Sequence, residues 1–131
     1  MLIHVPVERL HEDWPLIKEG LEKIIEKIKP DWIPEDVYHA LRSNVSTVHL
    51  GYNGDEYEGF IVLTPTPDYD GVVLFIWCVY SPSRTNVLET YYEEVVQMAR
   101  KIGAKKLRFA SPRKGWSRMF EPVTTIYERE V

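Results

Sequence analysis

The spacing of apolar residues predicts a short strand and a long helix at the start of the chain. Residues 3–5 are β-prone, and apolar side chains then recur every three or four positions, as on one face of a helix. This stripe comprises Trp14, Ile17, Leu21, Ile24, Ile25 and Ile28. With Asp13 as N-cap, Pro15 in the first turn and Pro30 beyond the end, the pattern predicts a helix over 14–28.

A second, shorter helix and then a pair of strands follow. Pro34 and the two carboxylates after it suit the first turn of a helix. From residue 45 the pattern changes to the period of two that strands show. The segments 45–51 and 57–64 therefore predict a hairpin that turns at Asn53-Gly54. The segment 65–71 is rich in Pro, Asp and Gly and is predicted to be a loop.

The remaining elements alternate between strands and helices. Residues 72–80 are almost wholly apolar, which predicts a central strand buried on both faces. A helical apolar stripe runs over 87–102, with Asn86 as the predicted N-cap and Gly103 as the predicted terminator. The last predicted elements are a strand over 106–110, a short helix near 113–120 and a strand over 123–131.

The order β-α-α-β-β-β-α-β-α-β predicts an α/β (α+β) fold, with a mixed, largely antiparallel sheet flanked by helices. A chain of 131 residues, 44% of them apolar, is expected to form a single domain over residues 1–131. It has neither an apolar run of about eighteen residues nor a secretory signal, so we expect a cytoplasmic protein without membrane partners. The only cysteine, Cys78, is expected to be a buried, unreactive thiol.

Charge is unevenly distributed along the sequence. The net charge is −4, yet eight of the sixteen basic residues lie between Arg100 and Arg118, a segment without Asp or Glu. Two interpretations stay open. The segment is either a solvated helix end and strand edge, or a surface that binds an anion.

The order of elements resembles that of the GCN5-related N-acetyltransferases (GNAT). In addition, the segment KKLRFASPRKGWSRMFEP, with Gly115, Trp116 and Arg118, is similar to a Gly-Arg-x-Gly-Trp-x-Arg segment of small acetyltransferase-like proteins of tailed bacteriophages. The likeness spans essentially the whole chain. It implies acetyl-CoA as cofactor, bound where the fourth and fifth strands diverge, and a small-molecule or protein amine as acceptor.

The resemblance also implies which residues would bind the cofactor. They are Cys78, Val79, Tyr80, Ser83, Arg84, Thr85, Asn86, Ser111, Arg113 and Trp116. The family's pyrophosphate loop follows a Gln/Arg-x-x-Gly-x-Gly/Ala pattern. Aligned on Arg84, that pattern puts Val87 and Glu89 where small residues belong, so the loop is degenerate. Phosphate contacts are expected from side chains near Arg84 and from the first amides of the helix after Asn86.

The sequence offers few candidates for a general acid or a general base. The predicted helix over 113–120 lacks the tyrosine that the family uses to protonate the leaving thiolate, so the general acid is unknown. Glu56, Glu58 and His49 are conceivable bases, although hairpin carboxylates and a lone strand histidine are usually structural. The histidines lack metal-binding spacing, so no metal site is expected. Most aromatic residues are expected in the core, among them Trp14, Trp32 and Trp77, which makes a nucleic-acid surface an unfavoured interpretation.

Two functional hypotheses therefore remain. One is an N-acetyltransferase that moves an acetyl group from acetyl-CoA to an amine. The other is a noncatalytic protein of the same fold that serves a phage or prophage as an interaction or virion-associated module, with a phage or host protein as partner. The sequence leaves the oligomeric state open.

Overall fold

The computed structural model describes residues 1–110 and 129–130, and five strands in this part of the chain form one mixed sheet. The strands are β1 (Leu2–His4), β2 (Thr47–Asn53), β3 (Glu56–Asp68), β4 (Gly71–Tyr80) and β5 (Lys106–Phe109). They lie in chain order, with β1 to β4 antiparallel and β5 parallel to β4. The predicted sheet type and the parallel fifth strand are thus confirmed. The elements predicted over 113–120 and 123–131 fall outside the described residues.

Helices cover both faces of this sheet. They are a 3₁₀ turn (Val7–Arg9) and the α-helices α1 (Leu10–Ile28), α2 (Pro34–Arg42), α3 (Val87–Thr90) and α4 (Tyr92–Lys101). None of the helices within the described ranges is long and apolar enough to cross a bilayer. The chain connects β3 to β4 directly, then crosses to β5 through α3 and α4.

Two separate cores hold the layers together. The α1–α2 core joins Ile17, Leu21, Val37 and Leu41 to sheet residues that include Phe60, Val62 and Cys78. The α3–α4 core joins Val87, Leu88, Val95 and Ala99 to sheet residues that include Ile61, Leu74 and Ile76. Neighbouring residues of β3 therefore alternate between the two cores, as the period of a strand requires. Cys78 is 3% exposed, and burial raises the pKa of its thiol, which confirms the expected buried cysteine.

The first helix begins earlier than the sequence predicted. It starts at Leu10, and its N-cap is Arg9 in place of Asp13. Leu10 is 1% exposed and extends the apolar stripe upstream by one turn, so packing favours the longer helix. Pro15 consequently lies within α1. A proline this close to the start removes only one backbone hydrogen bond, which the buried face of the helix offsets.

The predicted loop over 65–71 is wrong. Strand β3 continues to Asp68, and β4 begins at Gly71, so the two strands are joined by a tight turn. Proline is tolerated in β3 because β2 pairs with it only as far as Leu63, which leaves that edge open beside Pro65 and Pro67. The strand predicted over 72–80 lies inside the sheet, paired with β3 on one edge and with β5 on the other.

The single helix predicted over 87–102 is two helices that meet at Tyr91. Both predicted ends are confirmed: Asn86 caps the first helix, and Gly103 follows the second with a φ of +78°. At the break, the Tyr91 side chain turns into the α3–α4 core, and its hydroxyl shares its proton between the Tyr52 carbonyl oxygen, at 2.9 Å, and the Glu58 carboxylate. A buried side chain with a polar end thus sets the position of the break.

A β-bulge interrupts β4 at Trp77. Leu63 pairs with Ile76 and Val62 with Cys78, so Trp77 is an extra residue on β4. Both Trp77 and Cys78 consequently face the α1–α2 core. Bulges bend a strand and increase its twist. The bend comes directly after Ile76, the last β4 residue that pairs with β5.

Candidate functional site

A cleft lies beside the last described pair of β4 and β5. Among the described residues that pair is Ile76 with Phe109, and β4 continues to Tyr80, paired with β3 on its other edge. The cleft has a volume of about 250 Å³, and the end of β4, Phe109 and Ala110 contribute to its walls. The cleft thus lies where the resemblance implies that the fourth and fifth strands diverge.

The structure brings most of the predicted cofactor-binding residues together. Seven of them line this one cleft: Cys78, Val79, Tyr80, Ser83, Arg84, Thr85 and Asn86. Ser111, Arg113 and Trp116 lie outside the described residues. The shared location agrees with the predicted position of the site, while the role of each residue in binding stays a prediction.

The cleft reaches both faces of the sheet. Val79 and Phe109 pack against the α3–α4 core, whereas Trp77 and Tyr80 pack against the α1–α2 core. All four side chains also line the cleft. A molecule held between β4 and β5 would therefore extend from one helical layer of the protein to the other.

One wall of the cleft comes from α1 and was not anticipated from the sequence. This wall consists of Lys23, Ile24, Lys27 and Ile28, together with Trp32 from the connection to α2. Gly20 allows α1 to approach closely, because a Cβ at this position would lie 2.4 Å from the Phe60 ring and 2.7 Å from the Tyr80 ring. The helical period alone identified the apolar stripe, but only the packing of α1 on β4 shows that its last turns border a cleft.

Two tryptophans meet edge-on inside the cleft. The rings of Trp32 and Trp77 have centroids 6.1 Å apart and an interplanar angle of 70°. Both side chains are half-buried and pack on the α1–α2 core as well as lining the cleft. The expectation that they serve only as core residues is therefore incomplete. Trp14 does lie against the core, in edge contact with Tyr38 at 4.7 Å.

The backbone amides after β4 are already hydrogen-bonded within the chain. The Val87 amide donates to Ser81 Oγ over 2.9 Å, and the amides of Leu88 and Glu89 donate to the Asn86 side chain over 2.9 and 3.2 Å. The first amides of this helix therefore have acceptors within the chain, and phosphate binding by them stays a prediction. Ser81 and Asn86 occupy these donors because short polar side chains cap nearby backbone groups.

The two residues that depart from the pyrophosphate pattern have structural explanations. Val87 is fully buried in the α3–α4 core, and Glu89 is exposed on the surface. At this loop an anion would be bound by side chains, chiefly the exposed Arg84 guanidinium with the Ser83 and Thr85 hydroxyls.

The described lining of the cleft is cationic. Its charged members are Lys23, Lys27 and Arg84, and no Asp or Glu lies among the described lining residues. The chain as a whole carries a net charge of −4. The described lining is thus positive within a negative protein, an arrangement that favours anions over polycations at that part of the cleft.

His49 does not suit the role of a base. It is buried, 8% exposed, with its Nε2 atom 3.0 Å from Thr47 Oγ1 and its ring 5.3 Å from that of His4. Burial, with a smaller contribution from His4, lowers its pKa from 6.5 to about 4. His49 is therefore neutral at physiological pH, and it lies outside the cleft lining.

The two hairpin carboxylates also lie outside the cleft lining. Glu56 is exposed at the start of β3. Glu58 is the extra residue of a second β-bulge, because Gly51 pairs with Gly59 and Tyr52 with Tyr57. Its half-buried carboxylate accepts a hydrogen bond from the Tyr91 hydroxyl. Burial and this bond to Glu58 raise the pKa of Tyr91 to about 12. The geometry thus gives Glu58 a structural partner and leaves the general base unassigned.

Comparison with known proteins gives a fold and no close relative. No protein-family model matches the chain, and no curated protein is similar to it in sequence.

Three solved structures illustrate the structural likeness, each covering 100% of this chain. A ribosomal-protein-alanine N-acetyltransferase from Brucella melitensis biovar Abortus 2308 has a TM-score of 0.72 at 13% identity, over 99% of its own length. An aminoglycoside acetyltransferase from an uncultured soil metagenomic sample, in complex with sisomicin, has a TM-score of 0.70 at 11% identity over 96% of its length. A predicted acetyltransferase from Clostridium acetobutylicum, solved with acetyl-CoA, has a TM-score of 0.65 at 14% identity over 94% of its length. The mixed sheet, its two helical layers and these likenesses together show that the chain has the fold of the GCN5-related N-acetyltransferases.

Proposed function

We propose that the protein is an N-acetyltransferase that uses acetyl-CoA, bound in the cleft between β4 and β5, to acetylate an amine. The observation that carries this proposal is the cleft beside the last described β4–β5 pair, Ile76 with Phe109, which is lined by residues that pack on both helical layers. The similar protein from Clostridium acetobutylicum was solved with acetyl-CoA, which supports this choice of cofactor.

The end of β4 suits a pantetheine arm. Residues 78–80 of β4 line the cleft, and the described pairs between β4 and β5 extend only to Ile76. A pantetheine arm carries amides, which pair with a strand edge as an added strand would. Phe109 and Ile24 supply apolar surface, and Arg84 supplies a charge for a phosphate group.

Bound acetyl-CoA supplies a thioester carbonyl that an amine can attack. In the overall reaction a C–N bond forms, the C–S bond breaks, the amine loses a proton and the leaving sulfur gains one. Because Glu56, Glu58 and His49 all lie outside the cleft lining, we assign the rate enhancement to orientation of the reactants by the cleft walls. The pH profile should then follow ionisation of the acceptor amine, and activity should be slow.

Calorimetric titration tests the cofactor assignment without requiring turnover. Acetyl-CoA and desulfo-CoA should both bind the parent protein, since the proposed contacts do not involve the sulfur. Replacing Arg84 by alanine should weaken binding by about 1 to 3 kcal/mol, the range for a charged hydrogen bond. Arg100→Ala is the matched control, because Arg100 is exposed on α4, away from the cleft.

Two results would count against this assignment. Absence of binding by the parent protein would reject the cofactor, and equal affinity of Arg84→Ala and the parent would remove Arg84 from the site. An assay of acetyl-CoA consumption against amines and basic peptides then tests the reaction itself.

A second candidate function is favoured by the hydrogen-bonded amides of the 81–89 segment. Ser81 and Asn86 occupy donors that a pyrophosphate would need, and Val87 fills the space of a small residue. These features support a noncatalytic protein of the same fold, an interaction or virion-associated module of a phage or prophage in a bacterial cell. Lack of both CoA binding and turnover would favour this function over catalysis.

A further inference from the structure

The α1 wall of the cleft has a defined chemistry of its own. Lys23 and Lys27 are one helical turn apart and both are exposed, while Ile24 and Ile28 alternate with them along the same wall. In the same cleft, the Trp32 and Trp77 rings form an edge-on pair. A pair of ammonium groups beside an aromatic surface binds a molecule that carries both a negative charge and an apolar body.

The position of this wall separates it from the region assigned to the cofactor phosphates. Arg84 lies beyond the end of β4, on the segment that leads into α3. Helix α1 packs on the face of the sheet where Trp77, three residues before the end of β4, and Tyr80 contact the α1–α2 core. A cofactor with its phosphates near Arg84 and its arm along β4 would direct its reactive end toward the α1 wall.

We propose that the α1 wall binds the acceptor, and that the acceptor is a small amine carrying an anionic group, a carboxylate or a phosphate, on an apolar or aromatic body. This inference rests on the proposed acetyl transfer and specifies its substrate class. Lys23 and Lys27 bind the anionic group, and the Trp32–Trp77 pair contacts the body of the substrate.

The same charges select against polycationic acceptors. The similar acetyltransferase from soil metagenomic DNA was solved with sisomicin, an aminoglycoside. In this chain the charged side chains of the described cleft lining are three cations. Like charges at short range in a partly desolvated cleft are repulsive, so an aminoglycoside is a poor acceptor here.

Two matched acceptor pairs test the inference. Tryptophan and tryptamine differ in a carboxylate, and phosphoethanolamine and ethanolamine differ in a phosphate, so the pairs also show which anion is preferred. For each pair the ratio of kcat/KM values is compared between the parent and Lys23→Met/Lys27→Met. Methionine keeps the aliphatic bulk and removes the charge. Intrinsic differences in amine reactivity cancel because the same pair is measured on both proteins.

The parent should prefer the anionic member of at least one pair, and the double variant should lose about tenfold of that preference, as expected for one partly solvated charged hydrogen bond. Added salt should reduce the preference of the parent in the same direction. Lys18→Met should leave the ratio unchanged, because Lys18 is exposed on α1 and lies outside the cleft lining.

Affinity measurements separate this inference from the proposed function. Calorimetry with acetyl-CoA should give equal affinities for the parent and the double lysine variant, and N-acetyltryptophan should bind more tightly than N-acetyltryptamine to the parent alone. Binding of N-acetyltryptophan without any turnover would support the anion-binding wall while rejecting catalysis. The inference is overturned if the ratios are the same in parent and variant, if the lysine variant loses acetyl-CoA affinity, or if an aminoglycoside is the preferred acceptor.

Discussion

Replacing Gly59 by alanine tests how closely β3 and β4 approach at the cleft. Gly59 has a φ of +126°, and a Cβ added there would lie 1.9 Å from the Tyr80 carbonyl oxygen and 3.2 Å from Ser81 Cα. The φ value alone costs an L-residue about 1 to 3 kcal/mol. The contact is with backbone atoms, so it is relieved only by moving the end of β4, at a further cost of about 1 to 3 kcal/mol. We expect a total loss of about 3 kcal/mol or more.

Urea unfolding measures this loss, and Gly71→Ala is the matched control. Gly71 has a φ of +132°, and no atom lies within 4 Å of a Cβ placed on it. The control therefore carries the backbone strain without the contact, and the difference between the two variants should be about 1 to 3 kcal/mol. Acetyl-CoA affinity should fall in Gly59→Ala, because Tyr80 lines the cleft, and stay unchanged in Gly71→Ala. Equal destabilisation by both substitutions, with equal cofactor affinity, would refute the importance of this contact.

Three further predictions concern the free energy of unfolding of the protein. His49 has a pKa of about 4 in the folded chain against 6.5 when unfolded, so the unfolded state binds the proton first and the free energy of unfolding should fall between pH 6.5 and 4, by up to roughly 3 kcal/mol. Urea titrations at both pH values should show that His49→Gln removes this contribution and that His11→Gln retains it. Asn86→Ala should cost about 1 kcal/mol by leaving two helix amides uncapped, and Asn86→Ser should restore most of it, measured by thermal unfolding. Tyr91→Phe should cost about 1 to 2 kcal/mol in urea by removing the hydroxyl that binds Tyr52 and Glu58, whereas Tyr69→Phe, at a fully exposed position, should cost nothing measurable.

The elements that follow from local rules were predictable from the sequence. Asn86 and Gly103 mark helix ends through capping and positive φ, and both are confirmed. The break at Tyr91 was missed because it depends on a hydrogen bond to Tyr52, a residue distant in sequence. The length of β3 was missed because proline was taken as a loop former, although an open strand edge accepts Pro65 and Pro67.

The candidate site was predictable to a similar extent. Residues on or just after β4 were located by the resemblance in element order, since that order fixes where two strands separate. The α1 wall depends on how a helix packs across the sheet. Gly20 permits this close packing, but no local sequence pattern indicates it. Asn86 was correctly predicted as a cap. Its consequence, that the same side chain occupies amides a phosphate would need, required the hydrogen bonds themselves.

The bulge at Trp77 makes the cleft depend on the length of β4 as well as on its side chains. On both sides of Trp77 the strand keeps its pairing with β3, through Ile76 with Leu63 and Cys78 with Val62. We expect that deleting the single codon for Trp77 would preserve every β3–β4 pair and the core that each residue faces, while removing the bulge that follows the last β4 residue paired with β5. The deletion would give β4 a regular alternation of side chains along its whole length. A point substitution on β4 cannot do this, because it leaves the extra residue in place.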